Sequence, residues 1–306
     1  MKKIWMVWIV NNVVTSLNTH NGWYTHVCTN ILEEYFWESI DIINEKDDFN
    51  DYDVLIINEW VNYKNGVFNI FWWVWDTLRI RLNKLNHFNW KLYSINEKIN
   101  YIDLINKRKE LIGFKFEEKD IEIIDISKVS DKLILWDSHV LSVYKRWYSL
   151  NRNDWKTMNW FLKDWLETYI TSDIEHLMLY AWNIDIRFHI HRFKGNDTID
   201  IIMKALESQC KSLYDKWIMI TLVEVLPIES EDRKIPGTWQ YEWENFYWTQ
   251  KERTWYANYW NLMLKKITER NWWELLRWDH FGEYLDFEYM EQRQSVHLRP
   301  LHYMFN

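Results

Sequence analysis

A serine that attacks a carbonyl must stand on a sharp turn at the end of a strand, beside a group that takes its proton and donors that hold the oxyanion. One stretch has that form. The short apolar run Asp131-Lys132-Leu133-Ile134-Leu135 reads as a strand, and Trp136-Asp137-Ser138-His139 follows at once. Ser138 is the nucleophile candidate, and Asp137 is assigned to orienting the turn rather than to moving protons. Such a turn calls for glycine beside the reactive residue, because glycine bends the backbone where other residues are strained. Here that position holds tryptophan, the largest side chain available. A second pattern, His189-Ile190-His191, would on a strand put both imidazoles on one face, as a metal pair requires. No third ligand is identifiable nearby, so the two read as packed or solvent-facing histidines.

The misplaced tryptophan has company. The chain carries 24 Trp and 6 Gly in 306 residues, whereas average usage of about 7% would give roughly 21 glycines. Tryptophans also fall where glycine belongs. Phe71-Trp72-Trp73-Val74-Trp75-Asp76 reads as a loop entering a helix, Asn89-Trp90-Lys91 as a tight turn, and Trp239 and Trp272 follow Pro236-Gly237-Thr238 and Asn271. Glycine after Asn is a standard turn signal. These positions read as UGA codons translated as Trp where the source, like some uncultured bacteria and their phages, uses UGA for glycine. Exchanging about 18 to 20 of them would leave an ordinary content of both residues.

The elements that must position Ser138 follow from hydrophobic periodicity. The first half predicts a strand at 3–10, a helix at about 24–37 with Val27, Ile31 and Tyr35 in step, and strands at 39–43, 51–58 and 91–94, with a helix at 75–88. Ile121-Glu-Ile-Ile124 then leads to a boundary near 127–131. The second half predicts strands at 133–135, 177–181, 217–224 and 274–276, the last strand. Its helix at 198–215 has Ile199, Ile202, Met203, Leu206, Cys210 and Leu213 on one face and Asn196 or Asp197 as cap. A long loop, 228–247, precedes a helix at 249–270. Strands alternating with helices imply α/β architecture: two doubly wound, three-layer domains, 1–126 and 127–306.

Bulk properties exclude several roles. A net charge of -8 and a pI near 5.7 argue against a general nucleic-acid binder. No run of about 18 apolar residues exists to span a membrane. Met1-Lys-Lys-Ile-Trp-Met-Val-Trp-Ile-Val10 lacks a small-residue cleavage site and reads as a first buried strand. Cys28 and Cys210, one per domain and both on apolar helix faces, form no disulfide framework and fit a reducing, cytoplasmic setting.

From about Lys132 to the C-terminus the chain resembles the SGNH (GDSL-type) hydrolase superfamily, whose domain is flavodoxin-like. Leu135-Trp136-Asp137-Ser138-His139 matches its first block, Gly-Asp-Ser, with Trp136 in the glycine's place. Trp182-Asn183-Ile184-Asp185-Ile186-Arg187-Phe188-His189-Ile190 is similar to the Gly-x-Ile-Asp-x-Arg-x-His-Ile segment of a branch whose first block is Gly-Asp-Ser-His. Ser295-Val296-His297-Leu298-Arg299-Pro300-Leu301-His302 fits the C-terminal block. The resemblance implies Ser138 as nucleophile, His297 as base with His302 as the spare, and an acyl-enzyme with no metal or other cofactor. The oxyanion donors would be the Ser138 N–H and the amide of Asn183, although Asn183 occupies the variable position of the branch pattern. His139, Asp185 and Arg187 are assigned to substrate, Arg187 contacting either Asp185 or an anionic group.

One departure stands out: the family places Asp three residues before the catalytic His, and this chain has Gln294 there. A Ser–His dyad, a carboxylate from Glu291, Asp279 or Asp185, or loss of catalysis are the alternatives. The substrate implied is an O-acyl ester, an O-acetyl group on a sugar or glycan among them. The rival is a non-catalytic carbohydrate-binding or glycosyltransferase-associated module with a degenerate triad. Over residues 3–95, Asn50-Asp51-Tyr52-Asp53, Asn58, Asn62 and Phe71-Trp72-Trp73 loosely resemble the Rossmann-like domain of phage DNA β-glucosyltransferases. A glycine-containing connector in any doubly wound domain accounts for them better, and no Walker or Gly-x-Gly-x-x-Gly pattern is present.

Overall fold

The computed structural model of the chain describes residues 4–8, 20–43, 54–58, 91–95, 121–153, 156–190, 195–229, 249–279, 281–282, 284–290 and 297–305. The chain divides into two compact units, residues 1–17 with 21–129 and residues 18–20 with 130–306.

In the first unit, β1 (Ile4–Trp8), β2 (Ile40–Ile43), β3 (Val54–Asn58), β4 (Lys91–Ile95) and β5 (Ile121–Ile124) form an all-parallel sheet in the order β2-β1-β3-β4-β5. Parallel strands need crossovers, and α1 (His20–Phe36) connects β1 to β2. The helix buries Val27, Cys28, Ile31 and Leu32, a stripe at helical spacing. Tyr35, expected to share it, is exposed. The predicted helix at 75–88, the loop at 71–76, Trp90 and Asn62 lie outside the described residues.

The second unit repeats the plan. Its strands are β6 (Lys132–Trp136), β7 (Ser149–Arg152), β8 (His176–Tyr180), β9 (Met219–Val223) and β11 (Glu274–Leu276), again all parallel, in the order β7-β6-β8-β9-β11. In both sheets the second strand lies on one side of the first and the third on the other, the doubly wound order 2-1-3-4-5. Three helices accompany them: α2 (Met158–Lys163), α3 (Asn196–Tyr214) and α4 (Gln250–Asn271). β10 (Ile228–Glu229) and β12 (Tyr284–Leu285) pair as a separate two-stranded ribbon. Thus β11 is not the last strand, and the predicted 228–247 loop opens with a strand. β7 and α2 are too short for a periodic signal and were not anticipated.

Local chemistry fixes the helix ends. All six predicted apolar residues of α3 are buried. Its cap, however, is neither Asn196 nor Asp197 but Gly195, at φ 55°. A Cβ there would lie 2.7 Å from the Tyr256 hydroxyl, so only glycine fits. α4 opens with a capping box, Thr249 Oγ1 accepting the Glu252 N–H while Glu252 Oε2 accepts the Thr249 N–H.

Where chains leave these elements, the tryptophans return. Among the described residues, every non-glycine residue with positive φ is a tryptophan: Trp37 (55°), Trp147 (68°), Trp165 (64°), Trp217 (70°) and Trp272 (60°). Trp37 follows α1 and Trp272 ends α4 in the left-handed conformation with its N–H on Thr268 O. Left-handed backbone costs an L-residue roughly 1–2 kcal/mol, and glycine nothing comparable. All five indoles are exposed, Trp217 at 91% and Trp272 at 90%, so burial in the core does not offset that cost.

Candidate active site

β6 and β8 are neighbours in register, Trp136 beside Tyr180. They flank the point where the strand order reverses, and open α/β sheets place ligands at the carboxyl ends of such strands. β6 ends at Trp136, Asp137 turns the chain, and Ser138 opens a 3₁₀ turn, Ser138–Val143. Asp137 Oδ1 accepts the His139 backbone N–H at 2.8 Å and lies 3.1 Å from His139 Nδ1. Asp137 is fully buried and His139 is 3% exposed. Ser142 Oγ donates to the His139 carbonyl at 2.6 Å, closing the turn.

The C-terminal segment is laid onto this turn. Leu298 bridges Met290, Arg299 N–H donates to Tyr289 O at 2.8 Å, and Met304 N–H donates to Ser142 O at 2.8 Å. The result places the His297 ring edge-on against His139, centroids 5.1 Å apart. His297 therefore sits at the turn that Ser138 opens. His302 packs on Tyr289 and Phe281 with centroids at 4.9 and 6.5 Å.

Beyond β8 the chain does not continue as a strand. Asp185–His189 is a π-helical turn, so His189 does not share a strand face with His191, which lies outside the described residues. Among the described residues no group of three His, Cys, Asp or Glu side chains could hold a metal ion. The π turn points Arg187 inward, where Nη1 donates to Asn183 Oδ1 at 3.0 Å, Nε to Glu229 Oε1 at 2.9 Å and Nη2 to Pro227 O at 3.3 Å. Glu229 Oε2 accepts from Arg253 at 2.9 Å, and all three charged side chains are buried. Arginine only donates, so its bond fixes the Asn183 carbonyl oxygen on Arg187 and turns Nδ2 the other way. That Nδ2 is buried and faces the Tyr180 hydroxyl.

Arg187 thus contacts neither Asp185 nor solvent. Asp185 is buried as well and accepts the Met158 N–H at 2.6 Å. Burial pushes its carboxyl up to about 8, opposed by that amide and helped by the Asp137 charge. Tyr180, between the two strands' ends, is held protonated by burial and by Asp137. The three residues assigned to substrate, His139, Asp185 and Arg187, are all buried and hydrogen-bonded within the protein. Of the carboxylates considered behind His297, Asp185 is occupied by Met158, and Asp279 is exposed beside Arg277 at 3.7 Å. Glu291 and Gln294 lie outside the described residues. Glu229 and Arg253 were missed: one follows Pro227 like a surface loop, the other sits in the polar first turn of α4, and neither pattern signals burial.

No helix among the described residues is long and apolar enough to cross a membrane. No family model matches the chain, and no curated protein matches it. Among solved structures, the chain is similar to a Streptococcus pneumonia protein described as a platelet activating factor, at 14% identity and TM-score 0.42, covering 57% of this chain and 78% of that one. It is similar to a GDSL-like lipase from Bacteroides thetaiotaomicron, at 15% identity and TM-score 0.40, covering 67% and 91%. An acetyl xylan esterase matches at 14% identity and TM-score 0.29, covering 58% and 67%. At such scores the likenesses carry no weight for function, which rests on the residues themselves.

Proposed function

We propose that the second unit is a serine ester hydrolase or acyltransferase of SGNH type, acting on an O-acyl group, an O-acetyl of a sugar or glycan being the substrate class. The observation that carries the reading is the His297 ring against His139, the residue next to Ser138. The buried Asn183 amide after the adjacent strand, its oxygen anchored by Arg187, supports it. In this reading Ser138 Oγ attacks the acyl carbonyl while His297 takes its proton. The Asn183 Nδ2 and the Ser138 N–H receive the oxyanion, as donors fixed before reaction do most effectively. His297 returns the proton to the departing alcohol, and water or an acceptor hydroxyl then releases the acyl group.

The test is hydrolysis of p-nitrophenyl acetate by this chain and by its Trp136→Gly, Trp182→Gly form, each beside Ser138→Ala. Turnover lost with Ser138→Ala supports the reading. Turnover that survives Ser138→Ala, or none in either form, overturns it in favour of a carbohydrate-binding module.

A further inference from the structure

With Gln294 in the family's acid position, something else must orient the base. We propose that the Asp137–His139 pair does so: His139 is a positioning residue that holds His297, resting on the esterase reading above. The geometry points there from three sides. Asp137 Oδ1 receives the His139 backbone N–H and faces Nδ1 at 3.1 Å. A carboxylate oxygen only accepts, so Nδ1 carries the proton and Nε2 keeps its lone pair. Among the described residues, that Nε2 is buried with no hydrogen-bond partner, as is Asp137 Oδ2. Buried polar atoms without partners call for an explanation. The ring against His139 is His297, edge-on at 5.1 Å and an interplanar angle of 60°.

A modest turn of the His297 ring lets one of its N–H groups donate to His139 Nε2. Its other nitrogen is then the lone-pair nitrogen offered to Ser138. When Ser138 gives up its proton, His297 becomes an imidazolium. The buried Asp137 charge, transmitted through the polarised His139 ring, stabilises that cation without a proton leaving His139. The order is carboxylate, imidazole, imidazole, serine, with both supporting groups from the nucleophile's own turn.

The experiment uses acetyl-ester kinetics with pH profiles on the full chain, together with nitrogen NMR of the imidazoles. His139→Phe keeps a ring against His297 but removes the acceptor; about a 10³-fold fall in kcat with KM unchanged is expected, the scale seen when a base loses its orienting partner. His139→Gln restores an acceptor and is expected to recover part of the rate. Asp137→Asn keeps the shape but inverts the His139 tautomer, and is expected to lower kcat and shift the basic limb of the profile. NMR is expected to show His139 protonated at Nδ1 and coupled to His297. Full kcat in His139→Phe, with Ser138→Ala dead, overturns the positioning role and leaves the esterase standing. His139 protonated at Nε2 overturns it whatever the activity. Full activity in Ser138→Ala removes the esterase reading itself.

The backbone carries a second, independent inference: residues 37, 147, 165, 217 and 272 are glycine in the protein as its own cell makes it. Five left-handed positions, all exposed and all tryptophan, are what a glycine-to-tryptophan mistranslation produces and packing does not. UGA at those codons and glycine masses in the native peptides are expected. Trp272→Gly and Trp217→Gly are expected to raise the unfolding midpoint, with Trp→Ala at the same sites giving less than half that rise. UGG codons, tryptophan masses, or Gly variants less stable than the parent overturn it.

Discussion

Both sheets have five parallel strands in the order 2-1-3-4-5, and they part company at the strand ends flanking the reversal. In the second unit β6 runs into Asp137-Ser138-His139 and β8 into Ala181-Trp182-Asn183, a hydroxyl, an imidazole and an amide. In the first, β1 ends at Val7-Trp8 and β3 at Ile57-Asn58, and the stretches that follow lie outside the described residues. The difference teaches that topology supplies an address and the residues delivered there supply the chemistry.

The harshest trial of that contrast removes the nucleophile or the base. Ser138→Ala and His297→Ala are each expected to cut kcat for an acetyl ester by about 10⁶-fold, with the double variant little worse, because residues acting as a unit fail at the first deletion. Asn58→Ala, at the equivalent place in the first sheet, is expected to leave steady-state turnover unchanged; equal losses at both would end the comparison. Arg187→Met leaves Glu229 short of one cation and Asn183 without its anchor, so denaturant unfolding is expected to show a loss of about 3–5 kcal/mol, as broken buried ion pairs do. Asn183→Ala is expected to lower kcat by about 10² to 10³-fold, the cost of one oxyanion donor, with KM little changed.

A smaller effect sharpens the contrast through pH. The buried Asp185 carboxyl titrates near 8 in the fold and near about 3.9 unfolded. Its folded value is raised, so its contribution is fully present below about pH 4 and is lost as pH rises through about 8. Melting curves are expected to show stability falling across that window, and Asp185→Asn, neutral throughout, to flatten the fall. An unchanged slope in Asp185→Asn would place the charge elsewhere.

Much of the frame was legible because parallel strands are apolar runs and the α3 stripe repeats at 3.6 residues. The turn after β6 was legible too, since an apolar strand followed by Asp-Ser-His is a local pattern. What escaped was long-range: nothing local says that Arg187 reaches across to Glu229, 42 positions on, or that His302 stacks on Tyr289. The cap of α3 was misplaced because Asn196 and Asp197 are strong capping types, while the crowding that selects Gly195 comes from Tyr256 on another helix. The glycine reading of Trp272 rested on the preceding Asn271. Trp37, Trp147, Trp165 and Trp217 have no such neighbour, and only their dihedral angles single them out.

The docking of Met304 on Ser142 sets a clock on synthesis. Ser138 and His297 are 297 − 138 = 159 positions apart, and a ribosome adding about 5–20 residues per second needs roughly 8 to 30 s to cover that interval. Throughout it the emerging polypeptide displays the proposed nucleophile without its proposed base. Closing so long a loop costs on the order of 4–5 kcal/mol of chain entropy, drawn back only when the tail strap forms. On the proposed esterase reading, cleavage would therefore wait for that docking event, and chains cut before residue 297 would be inert toward the cell's own esters.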